Sequence, residues 1–300
     1  MIIDSLINLE LTQTSGQTSQ PPWRQSGDTF SEVVMVGGKP VIFNTRQSGN
    51  YLDFDFTGDV SPKKAESAIR YIYDLDFDLD KFYSYLSNHA ELAQMPEFCS
   101  GLRLFLAQDP FECIISSICS ANNSIKRWTK SISDIKVKWG DEHDGFYTFP
   151  DFHTFNEIFL DDEEEMDSCG RCESNNLKSC GVGYRAPYMR EASQRFTLET
   201  DLSEIPKMSY EEAFEVMLEI PGVGPKVADC ILLYGFNFKE AFPTDVWIKR
   251  IVSHLYFDGR DISVAKGRDF GMEEFGEYAG YVQLYMFHYA RKSGLMEKVR

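Results

Sequence analysis

Three hundred residues with 43% apolar content are enough for two domains with filled cores. A formal charge of −17 excludes a general polyanion-binding surface, so any contact with nucleic acid must be local. No charged leader precedes an apolar run, and no apolar stretch approaches the ~18 residues of a membrane span. Seven cysteines, an odd number lying mostly in apolar helical patterns, suit a reducing compartment rather than a disulfide framework. These features describe a soluble intracellular chain, placed in the cytoplasm before the nucleus.

Residues 1 to about 60 read as β structure. Ile7–Leu11 alternates, Glu32–Val36 and Pro40–Phe43 are short β-rich runs, and Tyr51–Phe56 alternates again. Thr12–Gly27, rich in Ser, Gln and Pro, reads as a long loop. From Ser61-Pro62 the period becomes helical, with more helix between Phe77 and Phe98. Asp109-Pro110 then caps a helix, PFECIISSICSANN, that is apolar on several faces and therefore central.

The expected fold is α+β, with an antiparallel sheet domain over residues 1–108 and an all-helical domain over 109–300. Later helices are marked at Trp128–Trp139, after Phe149-Pro150-Asp151 and at Tyr188–Thr197. Another follows Ser209, whose capping box is completed by Glu212, and a last one covers Tyr278–Arg291. Asp74–Asp80 and Asp161–Glu165 concentrate acid, and both read as solvated segments without metal-site spacing. Cys169, Cys172 and Cys180 lack a fourth ligand nearby and read as reduced thiols, so neither a metal nor a cofactor is expected.

One stretch carries the chemistry. In Leu218–Gly224 a helix ends at Pro221-Gly222, and Pro225 suits the first turn of the next. Gly222, Val223 and Gly224 form a tight turn that offers backbone N–H groups at a helix N-terminus, a ready phosphate site that needs no lysine-rich surface. Lys226 follows. Its position at a positive helix end among apolar neighbours disfavours the ammonium, and a neutral amine is a nucleophile for carbon. Cys230 shares its helical face. Asp245, nineteen residues after Lys226, opens another helix. As a cap it can also face a developing positive charge, and its own charge opposes the helix effect on Lys226. Sequence leaves open which effect wins.

These residues carry a resemblance. IPGVGPKVADCILLYGF followed by AFPTDVW resembles the 8-oxoguanine glycosylase/lyase branch of the helix-hairpin-helix DNA glycosylases. Gln108–Cys113, Ile118–Asn123, Gly183–Ala186, Tyr278–Gln283 and Phe287 extend the match. The resemblance implies a monomer that acts on double-stranded DNA carrying an oxidised purine. Lys226 would attack the sugar, displace the base and form a Schiff base before β-elimination, and Asp245 would stabilise the cationic sugar. The flipped base would stack on Phe287 opposite Cys230, hydrogen-bond Gln283 and meet Gly16. Asn122, Arg127, Tyr184 and Arg185 would fill the vacated stack and read the opposite cytosine.

This sequence departs from the family pattern at two places. Ser19-Gln20-Pro21-Pro22 replaces the Phe-Arg-Trp that follows the family's glycine, and Trp247 replaces a histidine. Two other functions remain open. One is a glycosylase for alkylated or other oxidised purines using activated water, and the other is a non-catalytic helix-hairpin-helix DNA-binding module.

Overall fold

The computed structural model describes residues 1–169, 175–198 and 201–299. Five antiparallel strands form one sheet in the order β1-β5-β4-β3-β2: β1 (Ile2–Asp4), β2 (Arg24–Ser26), β3 (Thr29–Val36), β4 (Lys39–Ser48) and β5 (Tyr51–Thr57). Gly37 and Gly38, at φ 60° and 77°, close the β3–β4 hairpin, the conformation that matches strand twist. Inward-facing Phe43 and Phe54 meet Trp23, Tyr73 and Phe105 in an aromatic core beneath helix α2 (Pro62–Ile72).

The first expected strand is a helix. Ile7–Leu11 alternates, but the Asn8 side chain accepts the Leu11 N–H at 3.0 Å and starts α1 (Leu9–Thr14). Leu9, Thr12 and Gln13 then face inward at helical spacing. Nor is Thr12–Gly27 one long loop. It includes the second half of α1 and all of β2, and Gln17, Thr18, Ser19 and Gln20 are buried between them.

The helices follow as α3 (Leu79–Ser87), α4 (Met95–Cys99), α5 (Pro110–Ser120), α6 (Ile125–Trp139), α7 (Phe152–Glu157), α8 (Asp162–Cys169), α9 (Ala186–Leu198), α10 (Tyr210–Leu218), α11 (Pro225–Phe236), α12 (Val246–Tyr256), α13 (Val264–Phe275), α14 (Ala279–Lys292) and α15 (Leu295–Lys298). A two-stranded ribbon, β6 (Glu142–His143) with β7 (Phe146–Tyr147), lies between α6 and α7. Asp109 caps α5, accepting the Phe111 N–H at 2.9 Å, and the whole helix from Phe111 to Cys119 is buried against α11. Both halves of the Ser209–Glu212 capping box on α10 form. Leu79, Phe82 and Leu86 of α3 bury with the helical core rather than with the sheet.

Charged side chains tie sheet to helices. Arg103, nearly fully buried, donates to the Leu6, Asp74 and Phe77 carbonyls and to Ser5 Oγ. Lys136 of α6 sits 3.3 Å from Glu32 of β3 and 3.7 Å from Glu112 of α5. Among the described residues no helix is long and apolar enough to cross a membrane.

Candidate active site

The hairpin joins α10 to α11. Gly222 has φ +81°, and a Cβ there would come within 2.6 Å of the Tyr188 ring, so both conformation and space demand glycine. Val223 spends its N–H on the Ile220 carbonyl at 3.0 Å. Gly222, Gly224 and Lys226 present theirs without a backbone acceptor among the described residues. Gly224 is the N-cap of α11 with open space around it, and Pro225 occupies the first turn.

Lys226 lies largely buried in that first turn, one turn before Cys230. Burial pulls its amine downward, but the Cys230 sulfur and the Asp245 and Asp229 carboxylates outweigh it and hold the pKa above the ordinary lysine value. The balance of burial against these neighbours favours the ammonium. Burial pushes the Cys230 thiol up, against an opposing pull from Lys226. Asp245 caps α12, accepting the N–H groups of Trp247 at 2.9 Å and Ile248 at 2.8 Å. The cap leaves its second carboxylate oxygen without a protein hydrogen bond among the described contacts.

One cavity of about 90 Å³ collects Lys226, Cys230 and Asp245 with Gln283 and Phe287 of α14 and Gly16 of the loop after α1. Ser15, Gln17, Thr18, Tyr234, Pro243 and Leu284 complete its wall. Gln283 is 8% exposed, yet its Oε1 has no hydrogen-bond partner. A buried orphan oxygen costs about 1–3 kcal/mol, and an entering donor would relieve it. A larger cavity, about 600 Å³, opens where Asn237 and Lys239 follow α11, and it contains none of these groups.

Asn122, Arg127, Tyr184 and Arg185 stand outside this cavity. Asn122 ends α5 at φ +51°, a conformation asparagine tolerates, and it is exposed like Arg127. Tyr184 is 59% exposed and lies under the Arg185 guanidinium at 4.4 Å. Arg185 itself is buried. Its Nε and Nη2 donate to the Ala121 carbonyl, Nη2 also to Asn122, and Nη1 to Val182. In the free protein this arginine holds the Asn122 turn, and most of its donors are committed. Cys180 is buried, while Cys172 and the Cys169 side chain lie outside the described residues.

Sequence reasoning missed Asp229, fully buried in α11, and Arg268 of α13, which donates to it at 2.7 Å. An acid inside an otherwise apolar helix was the available signal. It also missed Ser15, Gln17 and Thr18, whose only marker was adjacency to Gly16.

Residues 2–114 match the model of the 8-oxoguanine DNA glycosylase N-terminal domain, and residues 115–271 match that of the HhH-GPD superfamily of base excision DNA repair proteins. The chain belongs to the HhH-GPD superfamily. A relative of this HhH-GPD protein in Methanothermobacter thermautotrophicus, named probable N-glycosylase/DNA lyase, is 46% identical over 98% of this chain and 96% of its own. The Arabidopsis thaliana N-glycosylase/DNA lyase OGG1 is 28% identical over 94% of this chain and 76% of its own. The Clostridium acetobutylicum 8-oxoguanine glycosylase/lyase, solved with duplex DNA bearing cytosine opposite the lesion, superposes with TM-score 0.80 at 27% identity. It covers 98% of each chain. A 3-methyladenine DNA glycosylase from Archaeoglobus fulgidus shares the fold at TM-score 0.78 and 23% identity.

Proposed function

We propose that this HhH-GPD protein is a DNA glycosylase with strand-nicking lyase activity that removes 8-oxoguanine paired with cytosine in duplex DNA. It acts as a monomer in the cytoplasm. The observation that carries the reading is the convergence of Lys226, Asp245 and the unpartnered Gln283 oxygen in one cavity. The names of its N-glycosylase/DNA lyase relatives support it.

The hairpin N–H groups hold a phosphate, and the extrahelical base enters between Phe287 and Cys230. Lys226, once its ammonium has lost a proton, gives its Nζ lone pair to C1′. The N-glycosidic bond breaks, its electrons leave with the base, and the base takes up a proton. Asp245 faces the positive charge that builds on the sugar as that bond lengthens. Ring opening yields the imine between Lys226 and C1′, and loss of a C2′ proton expels the 3′ phosphate. Arg127 and Tyr184, exposed near the Asn122 turn, meet the strand opposite. Hydrolysis by activated water would leave Lys226 without a task, which weighs against the alkylated-purine alternative.

Borohydride added to the protein with an 8-oxoguanine·cytosine duplex tests the reading. A covalent protein–DNA adduct that disappears in Lys226→Gln is expected. Intact DNA and no adduct would refute it.

A further inference from the structure

The segment Arg103–Leu106, shortly before α5 in the chain, lies in no strand and no helix. Its backbone groups must still be paired, because they are buried. Side chains of α1 and of the loop after it pair several of them. Thr12 Oγ1 accepts from Arg103 N–H at 3.2 Å, and Gln20 Nε2 donates to the Leu106 carbonyl at 3.1 Å.

Between them, the Gln17 amide acts like a strand neighbour. Its Oε1 accepts the Phe105 N–H at 2.9 Å, while Nε2 donates to the Arg103 carbonyl at 3.0 Å and to Ser15 Oγ at 2.9 Å. Ser15 Oγ in turn donates to the Thr12 carbonyl at 2.8 Å. Thr18 Oγ1 meets Ser117 Oγ of α5 at 3.0 Å.

Gly16 is thus the one residue from Ser15 to Thr18 with no side-chain anchor, and its two neighbours are clamped. On its outer side Ile125 of α6 closes in, since a Cβ on Gly16 would lie 2.5 Å from Ile125 Cδ1. Gly16 has φ +88° and lies in the cavity wall, where its backbone is within reach of an entering base.

We propose that Gln17 is a positioning residue that sets base selectivity by immobilising the Gly16 peptide. The inference rests on the 8-oxoguanine reading above. Guanine N7 is an acceptor, whereas N7 of 8-oxoguanine carries a hydrogen. A backbone acceptor that cannot move favours the second and repels the first, and one that can swing aside discriminates less. A site built around one buried hydrogen bond separates two such bases only while its partner is fixed. The Gln17 clamp supplies this rigidity in a loop that lacks the family's Phe-Arg-Trp.

Gln17→Leu removes all three amide hydrogen bonds at similar volume, and Ser15→Ala removes one hydroxyl. For each variant, single-turnover rates are measured on duplexes carrying 8-oxoguanine, guanine or a pre-formed abasic site. The abasic site requires Lys226 chemistry without base recognition. Gln17→Leu is expected to lose at least about tenfold more in 8-oxoguanine excision than in abasic-site nicking, and to narrow the preference over guanine by a similar factor. Ser15→Ala should move both readouts the same way by roughly threefold and decides the matter if Gln17→Leu does not fold. Equal losses in the two reactions, or an unchanged preference, overturn the inference. If the unaltered chain nicks abasic sites but leaves 8-oxoguanine in place, the base assignment fails and this inference fails with it.

Discussion

Arg268 donates two hydrogen bonds to the fully buried carboxylate of Asp229, at 2.7 and 3.1 Å, three residues beyond Lys226. Tyr210 also donates to Asp229, so the cluster pins α10, α11 and α13 together around the hairpin. Removing one partner strands the other charge, a loss of about 3–5 kcal/mol. Asp229→Ala should therefore shift the denaturant midpoint strongly. Combining it with Arg268→Met should recover much of the loss. A double variant no better than the single one would refute this account.

Asp245→Asn separates capping from catalysis. Asparagine caps helices as well as aspartate, so the Trp247 and Ile248 N–H groups stay paired, and stability should change by less than about 0.5 kcal/mol. Single-turnover excision should nevertheless fall by about two orders of magnitude or more, because the negative charge facing the sugar is gone. A comparable fall in thermal stability would mark the residue as a cap alone.

Lys226 is held above its ordinary value despite burial, so the reactive free amine is a minor species at neutral pH. Its population rises tenfold per pH unit below that pKa, and the rate of borohydride-trapped adduct should climb steeply from about pH 6 to 9. Cys230→Ala removes one of the partners that raise the amine. The climb should then begin at lower pH. A flat profile in the unaltered protein would contradict the protonated resting state.

Glu112 titrates against the fold. Burial lifts its carboxyl from 4.5 to about 7; Lys136 opposes the shift, and Asp109 and Glu32 reinforce it. A raised folded pKa means this group's stabilising contribution is full below about 4.5 and fades as pH rises through about 7. Up to about 3 kcal/mol is at stake, equivalent to several degrees in Tm. The unaltered protein should lose Tm between pH 5 and 8, and Glu112→Gln should lose less. Parallel curves would show that another group controls the slope.

The order of sheet and helices was legible because period and punctuation change together at Ser61-Pro62 and again at Asp109-Pro110. The hairpin, Lys226 and Asp245 were legible because they are close in sequence, where spacing carries geometry. Gln17 was not. Its glutamine, serine and threonine neighbours have the composition of a solvated loop, and the Arg103–Leu106 backbone that Gln17 pairs with lies far along the chain. Asp229 with Arg268, and Glu32 with Lys136, are hidden for the same reason: no local pattern announces a pair made by tertiary packing. Ile7–Leu11 misled because a short apolar alternation fits one helical turn as well as a strand, and the Asn8 cap decided it.

Gln283 sets folding and recognition against each other. Its Oε1 is desolvated by the walls that would hold a base and bonded to none of them. Gln283→Leu should therefore raise Tm in the free protein while weakening excision. Selecting variants of this chain for heat tolerance alone would favour the substitution that blinds the pocket. The thermal optimum of the sequence and its working optimum are two different sequences, and they part at this side chain.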